Sequence, residues 1–343
     1  MRISQIILLS LLCMVSLASN CTRSNTFKPK EVELKTISGS NFMELQTNEL
    51  KYYDPDGVEW VAPKGTLTDG ATVPWFALPI TDGRFNKKFL KAAIVHDAYC
   101  QKINNGICPQ YQSRPWRDVH RMFYHACRAC GSGPLLAKTM FLFVWIFGPT
   151  WGDGERDLSG VSDELLNISY DSGIQYIKEN EPTVEGIVSW VDSRKPTLLK
   201  IDEFAKQARS AMEDGNPEEV DRIANETDLL LSRELEKMPN DLMLLNLRGF
   251  QAKNLATAYQ KLGASEKESS ELTKAENTFN SILKTRPNDP SANSGLSDVF
   301  MQRNEVEKAE EQNRKVLKIN PNHPMATRNL RQIERLRQPK PKN

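Results

Sequence analysis

The C-terminal part of the chain carries a repeated helical pattern that ends in proline. In "PSANSGLSDVFMQRNEVEKAEEQNRKVLKINP", residues 290–321, small and large side chains recur at helical spacing. The positions that keep this spacing are Leu296, Ser297, Phe300, Asn304, Ala309, Asn313, Val316, Leu317 and Pro321. The pattern predicts two antiparallel helices that pack small residues against large ones, with proline ending the second helix.

This segment resembles the tetratricopeptide repeat, a unit of about 34 residues, although Asn313 replaces the usual aromatic residue. Residues 275–289 are similar to the back helix of a second repeat, whose front helix we place within 242–263. A weaker third unit covers about 200–241, and 323–338 resembles a capping helix. The resemblance implies an all-α solenoid with a protein or peptide partner on its concave face. A plain helical bundle and a structural spacer are the alternatives.

Composition changes sharply near residue 195, because all six tryptophans and all six cysteines precede it. We interpret Ser193–Thr197, "SRKPT", as a linker. It separates a predicted domain over 28–192 from the tetratricopeptide-type domain over 198–340. The 45 basic and 44 acidic residues nearly cancel, so the overall charge does not indicate a nucleic-acid partner.

The N-terminus has the layout of a secretory signal peptide. Arg2 precedes the apolar run "IILLSLLCMVSLA", and the small residues before Ser19 fit cleavage after Ala18. Cys21 in "LASNC" is a lipidation candidate, although Asn20 departs from the small residue usual before such a cysteine. We therefore predict a signal peptide over 1–20 and a bacterial protein that is exported, either periplasmic or lipid-anchored in the cell envelope.

The domain over 28–192 is predicted to be α+β, with short antiparallel strands followed by about three helices. "ELKYYDPDGVEWVA" places two strand-like runs around the turn sequence Asp54–Gly57. Helices are predicted over 86–101, 113–130 and 133–148. The third contains a long apolar run, but Lys138 interrupts it, so we expect a buried core helix and no confident membrane span.

Histidine and cysteine cluster in the middle of this domain. His96, His120 and His125 are three of the four histidines, and they share the segment with Cys100, Cys108, Cys127 and Cys130. In an exported chain these four cysteines are disulfide candidates. Alternatively, Cys127 and Cys130 form half of a zinc site with Cys100, Cys108 or His120.

A His-Asp pair, His96-Asp97, lies within the apolar helix "AAIVHDAYC". Two antiparallel helices joined by a short loop would bring Asp118 near His96, where a carboxylate fixes the imidazole tautomer. Asp97 would point roughly 100° away around the helix. There it is free to bind a hard cation such as calcium, with the loop "TDGAT" and its Asp69 completing the site. A buried polar network without catalysis is the alternative.

Three separated motifs carry a resemblance to a known family. "TDGATVPW", "AAIVHDAYC" and "RDVHRMF" occur in that order and are similar to domain-of-unknown-function family 1353. That family implies no established activity.

The His-Asp motif also resembles, more loosely, the secreted phospholipases of the A2 type. That resemblance implies His96 as general base, Asp118 as its orienting carboxylate, Tyr99 as a supporting hydroxyl and Asp97 as a calcium ligand. The glycine- and cysteine-rich calcium loop of those enzymes is absent.

Three hypotheses follow, and they leave open whether the protein is an enzyme. The first is an envelope protein of unknown activity whose repeats bind a partner. The second is a calcium-dependent ester hydrolase. The third is a structural metal site of cysteine and histidine.

Overall fold

A computed structural model describes residues 25–70, 86–152, 158, 160–321 and 323–337. The chain divides into two compact units. Of the described residues, the first unit contains 25–70, 86–145 and 149–152, and the second contains the rest. The predicted signal peptide and Cys21 lie outside the described residues.

The first unit begins with six short strands in two three-stranded sheets. They are β1 (Thr26–Lys28), β2 (Leu34–Thr36), β3 (Met43–Leu45), β4 (Glu49–Tyr53), β5 (Glu59–Pro63) and β6 (Leu67–Thr68). All pairings are antiparallel, in the orders β1-β4-β5 and β2-β3-β6. This confirms the predicted short antiparallel strands.

The predicted hairpin is β4-β5, and its turn is held by one carboxylate. Asp54 accepts hydrogen bonds from the backbone of Asp56 and Val58 and, at 3.0 Å, from Nε1 of Trp60. Gly57 adopts φ +80°, a conformation that favours glycine. One face of the hairpin is buried at alternate residues, as a half-buried sheet requires.

Three helices complete the first unit: α1 (Leu90–Cys100), α2 (Trp116–Ala129) and α3 (Pro134–Phe147), whose last two residues belong to the second unit. A 3-10 turn, Lys102–Asn104, follows α1. Every residue of α1 from Ala92 to Cys100 is buried, so the polar side chains of this helix lie inside the fold. α3 is a largely buried helix, as predicted, and no helix in the described part of the chain is long and apolar enough to cross a membrane.

The second unit consists mainly of helices, as predicted for the C-terminal region. They are α4 (Asp163–Asn180), α5 (Val184–Glu213), α6 (Pro217–Lys237), α7 (Leu242–Lys261), α8 (Ser265–Thr285), α9 (Pro290–Gln302), α10 (Val306–Ile319) and α11 (Pro324–Arg337). From α5 onward each helix packs against the next, through connections of three or four residues. Asn216, Asp241 and Asp289 cap three of these helices with side-chain oxygens.

The predicted linker was wrong. Ser193–Thr197 lies inside α5, a 30-residue helix that contains Pro196 in its interior. The loss of tryptophan and cysteine after this point changes the composition, but it does not interrupt the helical spacing of apolar residues. Trp190, Val191, Leu198 and Ile201 are buried on either side of the proline.

Candidate functional site

A histidine pair joins α1 to α2 in the core of the first unit. Nε2 of His96 lies 2.9 Å from Nδ1 of His120, a hydrogen-bond distance, and the His96 ring packs against Phe123. His96 is 6% exposed and His120 is fully buried. On α2 the residues Trp116, Val119, His120 and Phe123 recur at helical spacing, and this stripe faces the core.

The predicted pairing of His96 with Asp118 was wrong. Asp118 is exposed, whereas the side chain that meets His96 comes from His120. Two residues along an α-helix correspond to about 200° of rotation, so only one of these two positions faces α1. The partner of His96 on α2 could have been identified from the sequence, because His120 belongs to the apolar stripe of α2 and Asp118 does not.

Asp97 is held by hydroxyl and amide groups from neighbouring segments. Thr68 donates its hydroxyl hydrogen to Oδ2 of Asp97 at 2.6 Å, and the Thr68 oxygen accepts the Gly70 amide at 3.0 Å. Asn104 donates to the Asp97 backbone carbonyl at 2.9 Å. In this way the loop sequence "TDG" does contact the helix that carries His96, through Thr68. Ala71 and Thr72 of the predicted "TDGAT" loop lie outside the described residues.

Asp69, predicted as a second metal ligand, lies near Asp97. Its Oδ1 is 3.5 Å from Nε2 of Gln101, and its charge acts in the same direction as burial, which raises the pKa of both Asp97 and Cys100. It is not one of the three side chains among the described residues, His96, Asp97 and Cys100, whose ligand atoms lie close enough together to share a metal ion.

The four cysteines are free thiols in the structure, so the predicted disulfides are not formed. The thiols face other groups: Cys100 Sγ lies 3.2 Å from Nδ1 of His96, and Cys108 Sγ lies 3.3 Å from the Thr66 hydroxyl. Cys127 is buried and Cys130 is half-buried. Neither belongs to a metal-ligating group within the described residues, so the predicted Cys127-Cys130 zinc half-site is not supported.

Tyr99 was predicted to support His96, but it faces the sheet. Its hydroxyl oxygen accepts a hydrogen bond from the backbone N–H of Val61 at 3.2 Å, and its ring packs on Trp60. The side chain is therefore used to attach α1 to β5.

Burial dominates the electrostatics of this cluster. It lowers the pKa of His96 to about 3. It also lowers the pKa of His120, with the charge of His96 acting in the same direction and the Pro149 backbone opposing it. Burial raises the pKa of Asp97 and Cys100, although the Thr68 hydrogen bond opposes the shift at Asp97. Both imidazoles are therefore neutral near pH 7.

One set of proton positions satisfies the contacts of the histidine pair. The Cys100 thiol donates to Nδ1 of His96, and the Nε2–H of His96 then donates to Nδ1 of His120. Nε2 of His120 carries the remaining proton, and the Pro149 backbone is the acceptor near this ring. The cluster is thus a chain of neutral donors and acceptors that ends inside the protein.

A calcium site does not fit these donors. Calcium takes six to eight oxygen ligands, whereas the atoms around His96 are nitrogen, sulfur and one carboxylate. The described residues are therefore better suited to a softer cation than to the calcium ion that the phospholipase resemblance implies.

Comparison with known proteins identifies the segment that contains this cluster. Residues 44–144 match a family model described as "Protein of unknown function (DUF1353)". Residues 44–144 form a DUF1353 domain. The resemblance inferred from the three sequence motifs is thereby confirmed, and β4, β5, β6, α1 and α2 lie wholly within the match.

Two relatives come from Sinorhizobium fredii (strain NBRC 101917 / NGR234). "Uncharacterized protein y4iH" is 33% identical over 130 residues, which cover 37% of this chain and 51% of the relative. "Uncharacterized protein y4jT" is 35% identical over 105 residues, which cover 31% of this chain and 29% of the relative. The chain thus spans about half the length of the first relative and less than a third of the second. No solved structure matches the chain.

A second candidate site is a charged groove in the helical unit. It has a volume of about 600 Å³ and is lined by residues of α4, α5, α7 and α11. Its basic residues are Lys206, Arg209, Lys253, Lys261 and Arg328, and its acidic residues are Glu164, Asp202 and Glu213. Nothing in the composition of the chain indicated this local excess of positive charge.

The buried cation of the groove is neutralised within the fold. Nζ of Lys253 lies 3.0 Å from Glu164 and 3.6 Å from Asp298, and Asn254 donates to the other Glu164 oxygen at 3.0 Å. Burial opposes the charge of Lys253, but these two carboxylates raise its pKa above the usual value. By contrast, Arg209 and Lys261 are exposed and form no ion pair with the described residues.

Proposed function

We propose that the helical unit is a tetratricopeptide-type domain that binds an acidic protein segment in the groove around Arg209 and Lys261. The observation that carries the proposal is the pair of exposed cations beside a groove whose other charges are largely paired internally. Complementary charge steers a partner into such a site and determines which partners are rejected.

The repeat architecture supports this function. α7-α8 and α9-α10 are helix pairs with connections at 262–264 and 303–305, and α11 follows as a single helix. The part of the chain in which the sequence pattern predicts two repeats and a cap, 242–338, contains these helices. Stacked helix pairs bury a continuous core and expose an extended surface for partners.

The experiment is a fluorescence anisotropy titration of the full chain with a labelled peptide of eight acidic residues. We expect binding that weakens steeply as salt concentration rises, because the contacts are electrostatic and exposed. The double substitution Arg209→Glu with Lys261→Glu should weaken binding at least tenfold.

The matched control is the double substitution Lys284→Glu with Lys318→Glu, which reverses two exposed charges outside the groove. It should change the affinity less than twofold. Equal losses in both variants, or equal binding of a peptide of eight basic residues, would show that the groove does not select an acidic partner.

We further propose that the chain works after export to the cell envelope, on the basis of its N-terminal sequence. Mass spectrometry of the mature protein tests this. A chain that begins at Ser19 supports a soluble exported protein, and a lipid-modified Cys21 supports an anchored one. Recovery of the mature protein with Met1–Asn20 intact contradicts export.

A further inference from the structure

The first unit contains three side chains whose ligand atoms converge around one point. Nδ1 of His96, a carboxylate oxygen of Asp97 and Sγ of Cys100 all lie within 4.8 Å of one another. We propose that these three side chains bind one zinc ion. This inference concerns the DUF1353 domain and is independent of the partner groove in the helical unit.

Two of the three ligand separations are close to those of tetrahedral coordination. Zinc bound to nitrogen and oxygen at about 2.0–2.2 Å and to sulfur at about 2.3 Å places its ligand atoms about 3.4–3.6 Å apart. In the structure Nδ1 of His96 lies 3.2 Å from Cys100 Sγ and 3.8 Å from Oδ1 of Asp97. The third pair, Asp97 and Cys100, lies within 4.8 Å, so these two side chains must rotate towards each other to bind the ion.

The groups behind the three ligands hold them in place. The Nε2 atom of His96 is hydrogen-bonded to His120, which leaves the lone pair of Nδ1 directed towards Asp97 and Cys100 to bind the metal once the thiol loses its proton. The Thr68 hydroxyl holds Oδ2 of Asp97, so that Oδ1 is the oxygen directed at His96. Metal-binding histidines and carboxylates typically have such partners, which orient the ligand and fix the histidine tautomer.

The charge of the site also favours a cation. Asp97 is almost fully buried, yet no lysine or arginine among the described residues pairs with it. When the metal binds, Cys100 loses its thiol proton to solvent and becomes a thiolate, so two negative ligands face one divalent ion. The bound site is therefore neutral, whereas a buried carboxylate without a cation carries a large desolvation cost.

The donor set selects the type of metal. One thiolate, one imidazole and one carboxylate suit zinc, whereas calcium and magnesium prefer oxygen ligands alone. Three protein ligands leave the fourth tetrahedral position to water, an arrangement found in catalytic rather than structural zinc sites. Unlike the site predicted from sequence, this one uses neither Cys127 nor Cys130.

The test is a titration of the metal-depleted full chain with Co²⁺ and then Zn²⁺, followed by absorption spectroscopy. Tetrahedral cobalt with one thiolate ligand gives visible bands and a near-ultraviolet sulfur-to-cobalt charge-transfer band, which zinc should abolish. We expect saturation at one equivalent. Cys100→Ser should remove the charge-transfer band, and His96→Gln or Asp97→Asn should weaken binding at least tenfold.

Cys108→Ser is the matched control, because it removes another buried thiol of the same unit, one that contacts the Thr66 hydroxyl and is not among the three proposed ligands. It should leave the band and the stoichiometry unchanged. A band that persists in Cys100→Ser overturns the proposal. So does a wild-type chain that binds neither cobalt nor zinc, a result that does not depend on whether any variant folds.

Discussion

At the residue scale, Asn104 connects the strand before the candidate site to the helix that carries it. Its amide donates to the backbone carbonyls of Leu67, at 2.8 Å, and Asp97, and its oxygen accepts the Leu67 N–H at 2.8 Å. The residue is completely buried. One side chain thus satisfies three backbone groups and joins β6 to the end of α1.

We predict that Asn104→Ala lowers the free energy of unfolding by about 2–4 kcal/mol, because it leaves buried backbone donors and acceptors without partners. Urea denaturation followed by tryptophan fluorescence measures the change. Asn105→Ala is the control, since this neighbouring side chain is exposed. A loss in Asn104→Ala no larger than that in the control would contradict the assigned role.

Asp289 provides a second prediction at this scale, on the pH dependence of stability. It caps α9 by accepting the Ala292 N–H at 2.7 Å, but its Oδ2 has no hydrogen-bond partner among the described residues. Burial raises its pKa from 3.8 to about 6, against the effect of the Ala292 hydrogen bond. The folded protein therefore favours the protonated carboxyl. The stability that this group contributes is fully present below pH 3.8, and it is lost as the pH rises through about 6.

Asp289→Asn should therefore match the wild type near pH 4 and exceed its stability by up to about 3 kcal/mol near pH 7. Melting temperatures of both proteins across this range test the difference. Asp192→Asn, which removes an exposed carboxylate, controls for the change in net charge. A difference between Asp289→Asn and wild type that stays constant from pH 4 to 7 would argue against an ionised Asp289 in the folded protein.

At the element scale, the helices of the second unit approach closely where small residues meet Phe279. Gly249 on α7 and Gly295 on α9 both approach this fully buried ring of α8. A Cβ atom would lie 2.5 Å from the ring at residue 249 and 2.3 Å from it at residue 295. Glycine is thus required at both positions by the space available.

Gly295→Ala should cost about 1–3 kcal/mol, because the added methyl group must displace a ring that is already packed. Thermal unfolding measured by circular dichroism checks this. Gly160→Ala is the control. It adds a methyl group in the same unit at a position where nothing lies within 4 Å, so the melting temperature of this variant should hardly change. Equal melting temperatures for the two variants would mean that α7, α8 and α9 adjust freely.

The helices themselves could be predicted from the sequence wherever apolar spacing and terminal proline or cap residues agree. Examples are α9 and α10, which lie within the segment singled out by its repeat pattern. The linker predicted at Ser193–Thr197 was wrong. Pro196 does not end α5, because the turns on both sides of it remain buried in the core. Helix phase explains why the wrong partner was assigned to His96, since Asp118 and His120 differ by only two residues but face opposite directions.

At the scale of the whole molecule, sequence patterns predicted the order of elements but not which side chains meet. The strands, the first three helices and the helix-rich C-terminal region follow from local periodicity. The His96–His120 contact depends on the rotation of α2 about its axis, and the groove depends on residues of α4, α5, α7 and α11 that are far apart in the chain. The apolar stripe of α2 shows that His120 faces the core, but which side chains of other elements it meets there depends on tertiary packing.

The central claim is that one metal ion binds at His96, Asp97 and Cys100, and that no other cysteine of the chain is a ligand. X-ray absorption spectroscopy at the zinc edge of the zinc-loaded full chain tests it most directly. We predict one sulfur ligand at about 2.3 Å and two or three nitrogen or oxygen ligands at about 2.0–2.2 Å. Two or more sulfur ligands, or none, would contradict the assignment.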